Sequence, residues 1–214
     1  MKLGEAWPDS GVSYWNHNVH YHPVILNAVP PGCRDAIDVG CGDGMLACAL
    51  AARCAAVTGI DRDALMITLA RDRAHTVANA TFLEGDFMAH PFGDESVDFA
   101  CANTSVHHMG SADAIAKMAR VVRPGGRLVV VGLAGDGSPA DWAIGAVGLP
   151  ANWYYKAVRG EGSAGAPVLP PDLTWGQLRR TARRLLPGVR YRRHLLWRYS
   201  LIWDKPATWD KPAR

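Results

Sequence analysis

Three glycines at every second position, Gly40, Gly42 and Gly44, follow the apolar run Ala36-Ile37-Asp38-Val39, and two carboxylates, Asp38 and Asp43, flank them. Helical patterning resumes at once through Leu46, Ala47, Leu50 and Ala51. The segment reads as a strand, a tight turn and a helix start, with backbone bared by the missing Cβ atoms so that a ligand rests on it. A dinucleotide would put its pyrophosphate there, yet the third glycine of the G-x-G-x-x-G spacing falls on Met45. Carboxylates repel a pyrophosphate in a low-dielectric crevice, so this loop suits a cation instead. Another acid, Asp61, closes the run Val57-Thr58-Gly59-Ile60 about twenty residues past the first glycine, where it can accept both hydroxyls of a ribose. Asp63, just beyond, reads as the cap of a helix from Ala64 to Ala74. The remaining chemical cluster is His107-His108, two imidazoles that titrate near neutral pH and could take a proton from a hydroxyl, amine or thiol.

S-adenosylmethionine fits a cation-seeking loop beside a ribose acceptor, since it carries a sulfonium, an ammonium and two ribose hydroxyls. Several segments occur in order: Asp38-Val39-Gly40-Cys41-Gly42-Asp43-Gly44, Gly59-Ile60-Asp61, Glu84-Gly85-Asp86-Phe87, Val97-Asp98-Phe99-Ala100-Cys101-Ala102-Asn103 and Arg123-Pro124-Gly125-Gly126-Arg127. On these the chain resembles the class I S-adenosylmethionine-dependent methyltransferases over roughly residues 33 to 133. The resemblance implies that Asp86 meets the adenine amino group, that Phe87 offers a backbone donor to the ring or serves the core, and that the carbonyl near Asn103 receives the cofactor's amino group. The implied cofactor-binding set is thus Asp38, Gly40, Gly42, Gly44, Asp61 and its neighbour Arg62, Asp86, Phe87 and Asn103. His107 and His108 are the catalytic candidates, although a histidine pair in related sequences also marks only the shape of this loop.

The elements that must position these residues follow from the patterning. Strands read at Ala80–Glu84 and Ser96–Ala102, and an amphipathic helix at Ala112–Val122 is stopped by Pro124-Gly125-Gly126 before the strand Arg127–Val131. Trp175, Leu178, Ala182 and Leu185 share one helical face, and Val189–His194 and Leu196–Trp203 read as a closing pair of strands. With the resemblance, this implies a Rossmann-like α/β fold: a three-layer, doubly wound, seven-stranded sheet of strand order 3-2-1-4-5-7-6 with strand 7 antiparallel. One methyltransferase domain spans residues 1–214, comprising an N-terminal cover (1–32), a lid insertion (134–170) and a frayed tail (204–214) that repeats Trp-Asp-Lys-Pro-Ala.

The cover is dense in aromatics and histidines, and on a helix Tyr14, His17 and Tyr21 share a face until Pro23 breaks it or opens a second short helix. Its His17, His20 and His22 could suggest a metal, but the needed carboxylates and a recognisable third ligand are absent, so no metal is assigned. The lid is rich in aromatics, among them Trp142, which serve an acceptor pocket or a homodimer contact. Tyr14, His17, Tyr21 and Trp142 are the candidate substrate residues.

The function that follows is methyl transfer to a small-molecule acceptor by in-line displacement, leaving S-adenosylhomocysteine. A nucleic-acid methyltransferase is the alternative, prompted by Arg179, Arg180, Arg183, Arg184, Arg190, Arg192, Arg193 and Arg198. Against it, the loop after the fourth strand reads Asn103-Thr104-Ser105-Val106 rather than the Asn/Asp-Pro-Pro-aromatic element of base-amino methyltransferases, and the arginines read as a solvated face. A non-catalytic S-adenosylmethionine-binding relative also keeps the cradle. A net charge of +3 is too mild to imply a polyanion partner, and the five cysteines form no C-x-x-C pair and read as buried thiols. With no signal-peptide pattern at the N-terminus and no apolar run of about eighteen residues, a cytoplasmic protein without a membrane partner is expected.

Overall fold

The computed structural model describes residues 14–160, 162, 165 and 169–209. The start of the cover, part of the lid and the second Trp-Asp-Lys-Pro-Ala copy from Asp210 onward lie outside the described residues. Two short helices, α1 (His17–His20) and α2 (His22–Leu26), lead into β1 (Asp35–Val39), α3 (Met45–Ala51), β2 (Ala56–Asp61), α4 (Ala64–Arg73), β3 (Ala80–Glu84) and β4 (Val97–Asn103). After a 3-10 turn at Val106–His108 come α5 (Ser111–Val121), β5 (Val122–Gly132), α6 (Pro139–Arg159), α7 (Trp175–Leu185), β6 (Arg190–His194) and β7 (Arg198–Asp204). The sheet has seven strands in the order β3-β2-β1-β4-β5-β7-β6, parallel except for β7, which runs antiparallel to β5 and β6.

Strand alternation sends the two faces of the sheet into two cores. Ile37, Val39, Ala100 and Ala102 pack with Ile115 and Met118 of α5 and with Trp175, Leu178 and Ala182 of α7. Ala36, Phe99 and Cys101 pack with Ile25, Leu46, Leu50, Ile67 and Ala70 of α2, α3 and α4. Central strands buried on both faces are apolar throughout, which is how a parallel sheet between helical layers reads in sequence. β5 starts earlier than the patterning suggests, at Val122, and its register with β4 shifts between Val97 and Phe99, so Pro124-Gly125-Gly126 forms an irregularity inside the strand.

Two expectations are corrected. The stretch after β7 is no frayed tail as far as Trp209: Lys205 is 3% exposed and its Nζ donates to the carbonyls of Ala119 (3.2 Å) and Val122 (2.7 Å) at the end of α5. Trp209 also packs edge-on against Trp203, with ring centroids 5.4 Å apart. The second concerns Tyr21 alone: Pro23, lacking an N–H, opens a second short helix, α2, within its first turn, one of the two outcomes expected there, but α1 already stops at His20 with Tyr21 as its cap. Tyr21 therefore leaves the face of Tyr14 and His17 and turns inward. Among the described residues no helix is long and apolar enough to cross a membrane.

Candidate functional site

The glycine turn sits at the carboxyl ends of β1 and β4, beside the point where strand order reverses, and there ligands bind in open α/β sheets. Gly40 (φ 70°) approaches the β4 loop so closely that an added Cβ would lie 2.3 Å from Ser105 Cβ. Gly42 (φ 53°) faces the other way, with open space where its Cβ would be. The turn is thus pinned behind and bare in front. That bare side opens on a cavity of about 750 Å³, the size of a cofactor pocket with room for a small acceptor.

Asp38, Asp61 and Asp86 line the cavity from the tips of β1, β2 and β3. Asp38 is 1% exposed; its Oδ1 accepts only a 3.6 Å contact from Cys101 Sγ and its Oδ2 has no partner. Burial, reinforced by the charges of Asp61 and Asp43, pushes its pKa up to about 7. A buried carboxylate oxygen without a donor calls for a cationic ligand. Asp61 is held by the Gly42 N–H (2.9 Å) and the Asp63 N–H (3.0 Å), which aim its remaining lone pairs along the cavity wall. Asp63 caps α4 through Leu65 N–H and Met66 N–H. Asp86 accepts from Met88 N–H, and Phe87, 2% exposed, serves both core and cavity wall. Asp43 departs from the electrostatic expectation: Arg73 Nη2 pairs with it at 2.6 Å, so the cation preference of the loop rests on Asp38 and Asp61. Arg62 also lines this end.

The rest of the lining is assembled from distant segments. Asn103 Nδ2 donates to the Asn18 carbonyl (3.1 Å), tying the tip of β4 to α1. His107, 7% exposed, has an Nδ1 without partner, and burial followed by neighbouring His108 pushes its pKa down to about 4. His108 is lowered by burial and by Arg62, so both imidazoles are neutral at pH 7. Their rings lie 4.2 Å apart. Tyr14 and His17 line the cavity, and His17 Nε2 meets Asn152 Oδ1 of α6 at 2.7 Å. His20 packs on Tyr155, whereas His22 is buried and its pKa is pushed down to about 4 by that burial, so the three cover histidines face different neighbours.

Three of the sequence candidates stand away from the cavity lining. Gly44 turns inward, where an added Cβ would lie 2.8 Å from Ala70 Cβ and 2.9 Å from Phe82 Cε1, so it serves packing of the turn on α4 and β3. The Tyr21 hydroxyl donates to the Leu195 carbonyl, and its burial pushes the pKa up to about 12. Trp142 is 71% exposed on α6, whose inner face, with Gly145, Gly148 and Tyr155, packs instead on Trp197 and Trp15. Among the described lid residues only Gly162 lines the cavity. Sequence reasoning missed Asn18, Ser105 and Arg198, all of which line it. Arg198 carried a signal, a charge opening a strand whose centre is mostly apolar, that was merged with the solvated arginines.

The family description "Methyltransferase domain" matches residues 37–130. An uncharacterized methyltransferase of Mycobacterium bovis is 35% identical over 194 residues, covering 86% of this chain and 93% of its own. The 27-O-demethylrifamycin SV methyltransferase of Amycolatopsis mediterranei is 38% identical over 130 residues, 58% of this chain and 48% of its own. Among solved structures, a SAM-dependent methyltransferase from Methanosarcina mazei superposes with a TM-score of 0.61 at 19% identity, covering 87% of this chain and 98% of that one. With the strand order, the glycine turn and the full-length relative in agreement, the chain belongs to the class I S-adenosylmethionine-dependent methyltransferases.

Proposed function

We propose that the protein methylates a small molecule bound between the His107-His108 turn and the N-terminal cover. The observation that carries this reading is the lining of the cavity: the buried carboxylate of Asp38, one oxygen without a partner, shares one cavity with the neutral imidazoles of His107 and His108. S-adenosylmethionine supplies a methyl group already activated on a sulfonium. Asp38 suits its cationic portion, Asp61 its ribose hydroxyls, Asp86 and Phe87 its adenine, and the carbonyl near Asn103 its ammonium. The bare face of Gly42 admits the ligand against the backbone.

What remains for the chain is to orient the acceptor and to exclude water. Tyr14 and His17 on the cover close the cavity from above, and α6 holds that cover in place through Asn152 and Tyr155. His107 and His108 are the proton acceptors of this reading; with its pKa down to about 4, His107 serves acceptors that are acidic or already ionised better than alcohols. The relative acting on demethylrifamycin supports a small-molecule acceptor. The arginines Arg179, Arg180, Arg183 and Arg184 are exposed on the face of α7 that turns away from the core, and none of them lines the cavity, which favours the small-molecule reading over nucleic acid.

Calorimetric titration tests the cradle: S-adenosylhomocysteine should bind and NAD should give no heat. Label transfer from methyl-tritiated S-adenosylmethionine to small acceptors, against none to RNA, tests the acceptor class. Transfer to RNA alone would overturn the reading.

A further inference from the structure

Arg198 opens β7 next to the carboxyl end of β5, is 7% exposed, and lines the cavity. Of the five N–H groups of a guanidinium, Nη1 donates to the carbonyls of Leu196 (3.2 Å) and Trp197 (3.5 Å), and Nη2 to Asn18 Oδ1 (2.7 Å). Nε has no partner, and one N–H of Nη2 is left over. Among the described residues no carboxylate pairs with it, whereas Arg73, Arg120, Arg123, Arg127, Arg190 and Arg193 all have an aspartate. Burial lowers its pKa to about 10, which leaves it cationic at neutral pH. A buried guanidinium without a counter-charge is costly, and the cost disappears when a bound anion supplies the charge. Two adjacent N–H groups match a carboxylate in particular.

The position decides whose carboxylate it is. The cradle aspartates end β1, β2 and β3, while β7 lies beyond β4 and β5 in the sheet order. At about 4.8 Å per strand, that places the base of Arg198 some three strand spacings from β1. Asn18 bridges the gap, its carbonyl bonded to Asn103 at the β4 tip and its side chain to Arg198. A ligand that touches Arg198 therefore extends past β4, away from the nucleoside end. We propose that the acceptor is a small organic acid whose carboxylate is held by Arg198, with Asn18 keeping the guanidinium in place. The proposal rests on the methyl-transfer reading above and names its substrate class.

The test uses the full chain saturated with S-adenosylhomocysteine and a panel of aromatic and aliphatic hydroxy-acids, each beside its neutral primary amide, read by thermal shift and calorimetry. At least one acid should bind ten-fold or more tightly than its amide, and Arg198→Gln should erase that preference while the S-adenosylhomocysteine dissociation constant stays within two-fold. Arg198→Lys, which keeps the cation if the glutamine variant fails to fold, should retain part of the preference. No acid preferred over its amide by the wild type would overturn the proposal. A ten-fold loss of S-adenosylhomocysteine affinity in either variant would also overturn it, by assigning Arg198 to the cofactor's own carboxylate. Failure of the wild type to bind S-adenosylhomocysteine would instead sink the methyl-transfer reading itself.

Discussion

The two ends of the cavity are built in opposite ways. At the cradle end, Asp61 and Asp86 stand just at or past strand tips and are aimed by N–H groups two residues on, those of Asp63 and Met88, although Asp61 also takes the Gly42 N–H and Asp38 meets Cys101 from the next strand. At the acceptor end, the positioning bonds join segments 85 residues apart (Asn103 to Asn18), 135 apart (His17 to Asn152) and 180 apart (Arg198 to Asn18). Local geometry makes the first a fixed device that tolerates any acceptor. Long-range assembly makes the second adjustable by changes in the cover, α6 or β7 without disturbing the first.

The largest expected effect breaks the cradle at its most crowded point. Gly40→Val places a branched side chain at φ 70° and 2.3 Å from Ser105, and should cost about 3–5 kcal/mol of folding stability in urea titrations. A loss below ~1 kcal/mol would show that the loops can part. Asp61→Ala leaves the fold intact but removes two charge-assisted bonds to the ribose, weakening S-adenosylhomocysteine binding by about 2–4 kcal/mol in calorimetry.

Asp38→Asn separates binding from stability. Its folded pKa, up to about 7, lies above the ordinary carboxyl value of 3.8, so the ionised carboxylate burdens the apo-protein above pH 7 and is relieved as pH falls toward 3.8. The asparagine should raise apo-protein stability at pH 8 by about 1–3 kcal/mol while weakening the cofactor. Equal stability at pH 8 would mean that water already satisfies the carboxylate. The histidines carry the opposite sign. His22 and His107 have folded pKa values near 4 against 6.5, so the unfolded chain binds their protons first and stability falls as pH drops from 6.5 to 4. His107→Gln should flatten that fall by about 1 kcal/mol between pH 7 and 5, measured by urea midpoints. Trp142→Ala comes last, with less than about 0.5 kcal/mol in stability and no change in S-adenosylhomocysteine affinity, because the ring stands in solvent. A changed acceptor KM in that variant would return Trp142 to the acceptor site.

This contrast also sets what the amino-acid order discloses. The Asp63 cap and the helical faces of α5 and α7 are legible because apolar period and cap chemistry are local, whereas the strand order came with the family resemblance. The partner of Asp43 was not legible, since Arg73 lies 30 residues on, at the far end of α4, and nothing in its spacing marks the contact. Tyr21 was misplaced for a related reason: the break falls at Tyr21 itself, two residues ahead of the proline that signals it. Arg198 and the exposed arginines of α7 are the same residue type in neighbouring segments, and only packing separates the buried one from the solvated ones.

Lys205 carries a practical consequence for anyone trimming the chain. Its ammonium is the plug for the carbonyls at the end of α5, so a truncation placed straight after β7 would uncork that helix and strand Glu95 without its 3.4 Å partner. A purification handle belongs after Trp209, where it leaves the plug seated.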